Sequence, residues 1–163
     1  MNLQDIINFF DSRAENWDTV NTQNQQVIDK ILDFACIENG VSVLDVACGT
    51  GVLFPDYQKK NAQVTGIDIS PEMVKIAKEK FPEYEIICDN AVTYDFQKQF
   101  DIIMVFNAYP HFENPEKLIE NLVKSLKIGG RFSIAHGASR EEIQKCHSGV
   151  AQSISLDLPE AED

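Results

Sequence analysis

The run Val43-Leu44-Asp45-Val46-Ala47-Cys48-Gly49-Thr50-Gly51 joins an apolar stretch to a turn of small residues, with an acid near the end of the apolar part. Small residues let a backbone approach a ligand closely, because larger side chains fill the space. A second acid, Asp68, closes the next apolar run in Gly66-Ile67-Asp68-Ile69-Ser70. Dinucleotide binding is the first chemistry to weigh, and it calls for a third glycine that lets helix and strand pack closely. Phe54 stands in that position. Asp45 also sets a carboxylate beside a turn that has to accept two phosphate charges, which Coulomb's law disfavours. A ligand with an ammonium and a ribose but no phosphate suits the two acids better, the ammonium beside Asp45 and the ribose hydroxyls accepted by Asp68. S-adenosylmethionine has that constitution.

Elements must bring these runs to one place. Apolar β runs fall at 41–46, 63–67, 84–88, 101–106 and 131–135, and helical patterns separate them, including 71–80 and 115–126. Such alternation predicts an α/β domain with a doubly wound, mostly parallel sheet covered on both faces. Ser70 before Pro71 and Asn114 before Pro115 read as N-caps followed by proline at the first helical position, and Ser139 with Glu142 as a capping box. Gly129-Gly130 is expected to end the connection into the fifth strand. Two amphipathic helices precede the sheet, one carrying Ile6, Phe10, Ala14 and Trp17, the other Val27, Ile28, Ile31, Leu32 and Ala35. Residues 153–158 alternate weakly as a sixth strand. A sheet that ends at 131–135 leaves an unpaired edge, so the expectation is a chain shortened at its C-terminus and lacking the fold's last strands, or one that closes its edge with a partner, a homodimer being one form.

LDVACGTG (44–51), VTGIDIS (64–70), the loop after Cys88, FDIIMVFNAYPHF (100–112) and LKIGGRFSI (126–134) together resemble the class I S-adenosylmethionine-dependent methyltransferases, in particular the small ubiquinone/menaquinone C-methyltransferase-like group. The resemblance covers residues 9 to 136 and implies the Rossmann-like methyltransferase fold. It implies that Asp45, Ala47, Cys48, Gly49 and Gly51 hold the methionine part of the cofactor, that Asp68 clasps the ribose, and that Ile69 and Met73 line the adenine pocket. Ala47 replaces the first glycine of the commonest family turn. An acid in the loop after the third strand accepts the adenine amine in such proteins; Asn90 falls in that slot with Asp89 one earlier, next to Ala91, and either can accept this bond. Asn107 is implied to give the cofactor a backbone contact. Tyr109 and His111 are the candidates for the acceptor side and for catalysis, the alternative for His111 being that it only orders its loop. Phe9 to Asp18 resembles the segment that folds over the cofactor, with Arg13 pairing the cofactor carboxylate and Trp17 walling the acceptor pocket. Their plainer readings are a surface arginine and a core tryptophan. His136, at the end of the fifth strand, is assigned a place in the acceptor pocket.

Composition sets outer bounds. The 163 residues, 44% of them hydrophobic, suffice for one core, so a single domain is expected over 1–163: a helical lid (1–38), a cofactor-binding core (39–136) and a helix with an acidic tail (137–163). Twenty-six acids against fourteen bases give a charge of −12, which disfavours nucleic acid and anionic membranes as partners and leaves a small-molecule acceptor. No apolar run is long enough to span a bilayer and no basic leader starts the chain, so a cytoplasmic protein is expected. Cys36, Cys48, Cys88 and Cys146 are spaced as buried thiols, Cys146 sharing an apolar stripe with Ile143 and Val150. His136 and His147 do not make a metal site by spacing. The rival functions are an NAD-dependent oxidoreductase, against which Phe54 and Asp45 argue, and a non-catalytic protein that binds S-adenosylmethionine or acts through its exposed edge.

Overall fold

Strand and helix alternate along the chain as their patterns require. A computed structural model describes residues 2–146 and 154–156. Its helices are α1 (Leu3–Asp11), α2 (Trp17–Val20), α3 (Gln25–Phe34), α4 (Phe54–Lys59), α5 (Pro71–Lys80), α6 (Pro115–Leu122) and α7 (Arg140–Cys146). The strands are β1 (Ser42–Val46), β2 (Gln63–Asp68), β3 (Glu85–Cys88), β4 (Phe100–Phe106) and β5 (Leu126–Ala135). They form one parallel sheet in the order β3-β2-β1-β4-β5. Side chains alternate between its faces. Val43, Val64 and Met104 pack with Leu32, Phe54, Tyr57 and Val74 on one side. On the other, Leu44, Val46, Ile103 and Val105 pack with Leu118 and Leu122 of α6.

The chain reverses its direction of travel across the sheet between β1 and β4, and in an open parallel sheet the ligand crevice opens beyond the carboxyl ends of the strands at that point. Asp45, Asp68 and Asn107 all lie there. The caps read from sequence form: Ser70 Oγ accepts from Met73 N at 3.2 Å, Asn114 Oδ1 from Lys117 N at 3.1 Å, and Glu142 Oε2 from Ser139 N at 2.8 Å.

Several expectations need correction. The first helix does not run through to Trp17; it stops at Asp11, where Ser12 Oγ and Arg13 Nη1 both bond the Phe9 carbonyl, and a 3-10 turn (Ala14–Asn16) leads into α2. The helix expected to end at Leu126 gives way after Leu122 to a 3-10 turn, and Leu126 opens β5. Gly129-Gly130 therefore lies inside β5, at a register shift opposite Phe100–Ile102, and a Cβ on Gly130 would stand 2.8 Å from the Asp101 carbonyl. Ile154 is in a 3-10 turn and Ser155 and Leu156 are not in a strand, so no sixth strand forms at these positions. The side chain of Cys146, with His147, Val150 and the acidic tail, falls outside the described residues.

Candidate functional site

The glycine turn owes its shape to three left-handed residues: Ala47 at φ 56°, Gly49 at 55° and Gly51 at 82°. Ala47 is the strained member, since an L side chain disfavours that region by roughly 1–2 kcal/mol. Gly51 has no alternative, because a Cβ there would meet the rings of Phe54 and Phe81 at 2.9 Å. Phe54 itself is completely buried, in contact with Phe81 and Tyr84, and a Cβ on Gly66 would stand 2.9 Å from its ring. An aromatic core thus fills the place of the dinucleotide fold's third glycine.

Asp68 ties the separate runs together. Its Oδ2 accepts from Gly49 N at 2.8 Å, its Oδ1 from Ser70 N at 2.9 Å, and its carbonyl from Asp89 N at 3.1 Å. Burial pushes its carboxyl up, opposed by the amides of Ser70, Gly49 and Ile69. Asp45 is buried one strand away, 2% exposed. Burial first, and then the charge of Asp68, push its carboxyl up to about 8. The hydroxyl of fully buried Tyr57 lies against it and opposes the rise, although in no well-formed hydrogen bond. Among the described residues no cation pairs with Asp45. A buried acid without a counter-ion, beside an open backbone turn, fits the ammonium of an amino acid.

Around these acids the other candidates divide. Met73 is buried with Sδ 4.0 Å from the Cβ position of Gly49, and Trp17 Nε1 is 3.9 Å from the same point. Trp17 is half-buried in the lid, edge-on to Phe10 at 5.5 Å, and Phe10 is edge-on to His111 at 5.1 Å. Ile69 is half-buried and Cys48 is buried with its thiol pushed well up by burial. In the loop after β3, Asn90 Oδ1 is engaged by Val92 N at 3.0 Å and exposed Asp89 accepts from Asn90 N at 2.6 Å. Ala91 is buried, its carbonyl accepting from Asn121 Nδ2 at 2.9 Å. Asn107, at φ 53°, accepts from Gly137 N at 2.7 Å and donates to Gln23 Oε1 at 3.3 Å. Tyr109 is half-buried in the same turn as His111, and His136 is half-buried after β5. Arg13 is not brought to this group: it is exposed, its guanidinium 3.6 Å over the Phe9 ring of the preceding helix.

Sequence reasoning missed the residues that fasten the lid. Asp11 Oδ1 accepts from Ser70 Oγ and from Glu72 N at 3.2 Å, at the start of α5. Asp18 accepts from Thr50 Oγ1 at 2.5 Å and from Lys80 Nζ at 2.7 Å. Both acids sit on polar positions of a short helix, where nothing local separates a latch from a solvated side chain. A cleft of about 280 Å³ behind the turn, lined in part by Asp18, Gly51, Asp56 and Lys59, does not include Asp45 or Asp68. Among the described residues no group of three or more His, Cys, Asp or Glu side chains is placed to hold a metal ion.

A methyltransferase-domain model matches residues 44–134, more than half of the chain, with both buried acids and the glycine turn inside the match. The chain belongs to the methyltransferase domain family. The buried acid, the turn and the second acid fit S-adenosylmethionine as a ligand. Malonyl-[acyl-carrier protein] O-methyltransferase of Priestia megaterium is 30% identical over 122 residues, which are 71% of this chain and 44% of that protein. Demethylmenaquinone methyltransferase of Paenarthrobacter aurescens is 28% identical over 137 residues, 80% of this chain and 54% of that one. Coclaurine N-methyltransferase, solved with N-methylheliamine and S-adenosylhomocysteine, superposes with a TM-score of 0.63 at 25% identity, over 68% of this chain and 35% of its own. The chain of this methyltransferase-family member thus spans about half the length of the curated relatives it matches. No helix among its described residues is long and apolar enough to cross a membrane.

Proposed function

We propose that this family member transfers the methyl group of S-adenosylmethionine to a small-molecule acceptor. The observation that carries the reading is Asp45, a buried carboxyl with no cation paired to it among the described residues, one strand from an acid that already organises the glycine turn. When bound, S-adenosylmethionine supplies a methyl group activated by its sulfonium centre. Asp45 takes the ammonium, with the backbone of Ala47, Cys48, Gly49 and Gly51 around it. Asp68 accepts the ribose hydroxyls on the lone pairs that its amide bonds leave over. Ile69, Met73 and Ala91 line the adenine. Asp89 accepts the adenine amine on its second carboxylate oxygen, because the one side-chain oxygen of Asn90 already serves its own loop while Asp89 spends only Oδ1 on Asn90 N.

The remaining task is orientation and exclusion of water, since the methyl donor needs no further activation. Trp17 and Phe10 wall the acceptor side together with His136, and Asn107 gives the cofactor a backbone contact. His111 takes the proton of a carbon or oxygen acid, with Tyr109 as the alternative group, and imidazole suits that work near neutral pH. The reading of Arg13 as a partner for the cofactor carboxylate loses support, because its guanidinium is turned onto Phe9. The charge of −12 favours a small acceptor over nucleic acid and is consistent with a place in the cytoplasm. The outer edge of β5, unpaired among the described residues, supports a weak homodimer.

The test is calorimetric titration with S-adenosylmethionine and NAD, followed by mass-spectrometric detection of methyl transfer across simple phenols, carboxylic acids and amines. Binding of the first cofactor alone, with a methylated product, is the expected result. Tight binding with no transfer to any acceptor favours a non-catalytic binding protein instead.

A further inference from the structure

The turn that carries Tyr109 and His111 is held at two points by a segment distant in sequence. Leu156 N–H donates to the Pro110 carbonyl at 2.6 Å, and His111 Nδ1 lies 2.9 Å from the Ile154 carbonyl oxygen. Ile154 is 2% exposed, so its side chain anchors the segment. The lid's Phe10 stands edge-on to the same imidazole, with ring centroids 5.1 Å apart and the rings at 81° to one another. A carbonyl oxygen has no proton to give, so the bond to Ile154 exists only when Nδ1 carries one. The neutral ring then keeps its lone pair at Nε2, the opposite of the tautomer that predominates for a histidine side chain in water.

We infer that residues 154–156 are a positioning strap, which holds His111 as the Nδ1–H tautomer and so makes Nε2 the atom that accepts the proton of the methyl acceptor. The inference rests on His111 being the proton handler of the proposed methyl transfer. In that step the acceptor's proton passes to Nε2, the electron pair of the broken bond forms the new bond to the methyl carbon, and the pair of the carbon–sulfur bond stays on sulfur. His111 ends as imidazolium with Nδ1–H still donating to Ile154, so the strap's bond is kept in both charge states. Ile154 and Leu156 act through His111 and touch neither reactant.

The experiment is long-range proton–nitrogen NMR on the full chain labelled with nitrogen-15 histidine, with His111→Gln used to assign the His111 signals among the three histidines. Wild type is expected to show a protonated Nδ1 and an unprotonated Nε2 on His111 above its titration. Leu156→Pro, which deletes the N–H given to Pro110, is expected to shift His111 toward the Nε2–H form. It should also lower kcat about tenfold, less than the roughly 10²–10⁴-fold that a whole acid–base group contributes because the imidazole itself is kept, at unchanged cofactor affinity, with the best acceptor of the phenol, acid and amine panel. Leu156→Ala keeps that N–H and should keep both the tautomer and the rate. Wild-type His111 in the Nε2–H form, or a Leu156→Pro protein with an unaltered tautomer, overturns the strap. A His111→Gln protein that transfers methyl groups at the wild-type rate overturns the catalytic part while leaving methyl transfer standing. A wild type with the assigned tautomer and no transfer at all overturns the function instead, so the failures are distinct.

Discussion

Asp45 shows how one residue can trade folding stability against ligand affinity. Its carboxyl is raised from 3.8 to about 8, so between those values the folded protein holds a proton that the unfolded chain has lost. The sign follows from that difference: the favourable contribution is complete below 3.8 and drains away as the pH climbs through about 8. Asp45→Asn removes the penalty, and at pH 8.5 the cofactor-free variant should melt at least ~3 °C above wild type, the shift for roughly 1 kcal/mol in a chain of this size. The gap should close on titration toward pH 4, while cofactor affinity at pH 8.5 falls about 100-fold, the loss typical of truncating one partner of a buried charge pair. An ammonium beside Asp45 pulls its titration back down, so cofactor binding at pH 7 should release a proton, measurable by calorimetry in buffers of different ionisation enthalpy. Heats that do not vary with the buffer would refute this role. Ala47 is a simpler case. Ala47→Gly relieves a left-handed alanine and should raise the urea midpoint by up to about 1 kcal/mol of stability, part of the gain being lost to the freer unfolded glycine; a lower midpoint would count against strain at this turn.

At the scale of elements, the lid is fastened to α5 and to the glycine turn. Asp11 caps α5 from outside that helix, and Asp18 joins the turn residue Thr50 to Lys80 at the other end of α5. The Asp18–Lys80 pair is half-exposed and worth at most about 1 kcal/mol, so the buried hydroxyl of Thr50 and the cap at Ser70 carry more of the latch. Asp11→Ala should cost about 1 kcal/mol, as lost caps do, and should speed hydrogen exchange in residues 3–20 while leaving the five strands protected. Trp17, the one tryptophan, reports the outcome directly: its emission should shift to the red in Asp11→Ala and be altered by cofactor in wild type. Emission unchanged by both would mean that the lid does not move with the site. The break after Asp11 was not legible in the periodicity, because Ile6, Phe10, Ala14 and Trp17 suit one continuous helix. It is the competing bonds of Ser12 and Arg13 to the Phe9 carbonyl that end it.

For the whole molecule the open question is the sheet's outer edge. Ile128 is fully exposed on β5 and Ile134 partly so, while a charge of −12 opposes the approach of a second copy. Sedimentation should therefore show a concentration-dependent dimer that strengthens as salt screens the repulsion, and Ile128→Lys should abolish it; a monomer at every concentration and salt would remove the edge as an interface. What the residues determined unaided was the strand–helix alternation, the caps at Ser70, Asn114 and Ser139, and the glycine turn between two acids. Each of these is written in neighbouring positions, because hydrophobic period, capping and turn conformation are decided within a few bonds of the chain. The tertiary structure alone decided that Thr50 meets Asp18 across 32 positions, Ser70 meets Asp11 across 59 and His111 meets Ile154 across 43. It also buried Tyr57 against Asp45 and turned Arg13 away from the site. Contacts of this kind depend on how finished elements stack on the sheet, and a polar side chain looks the same in sequence whether the packing delivers it to a partner or to water.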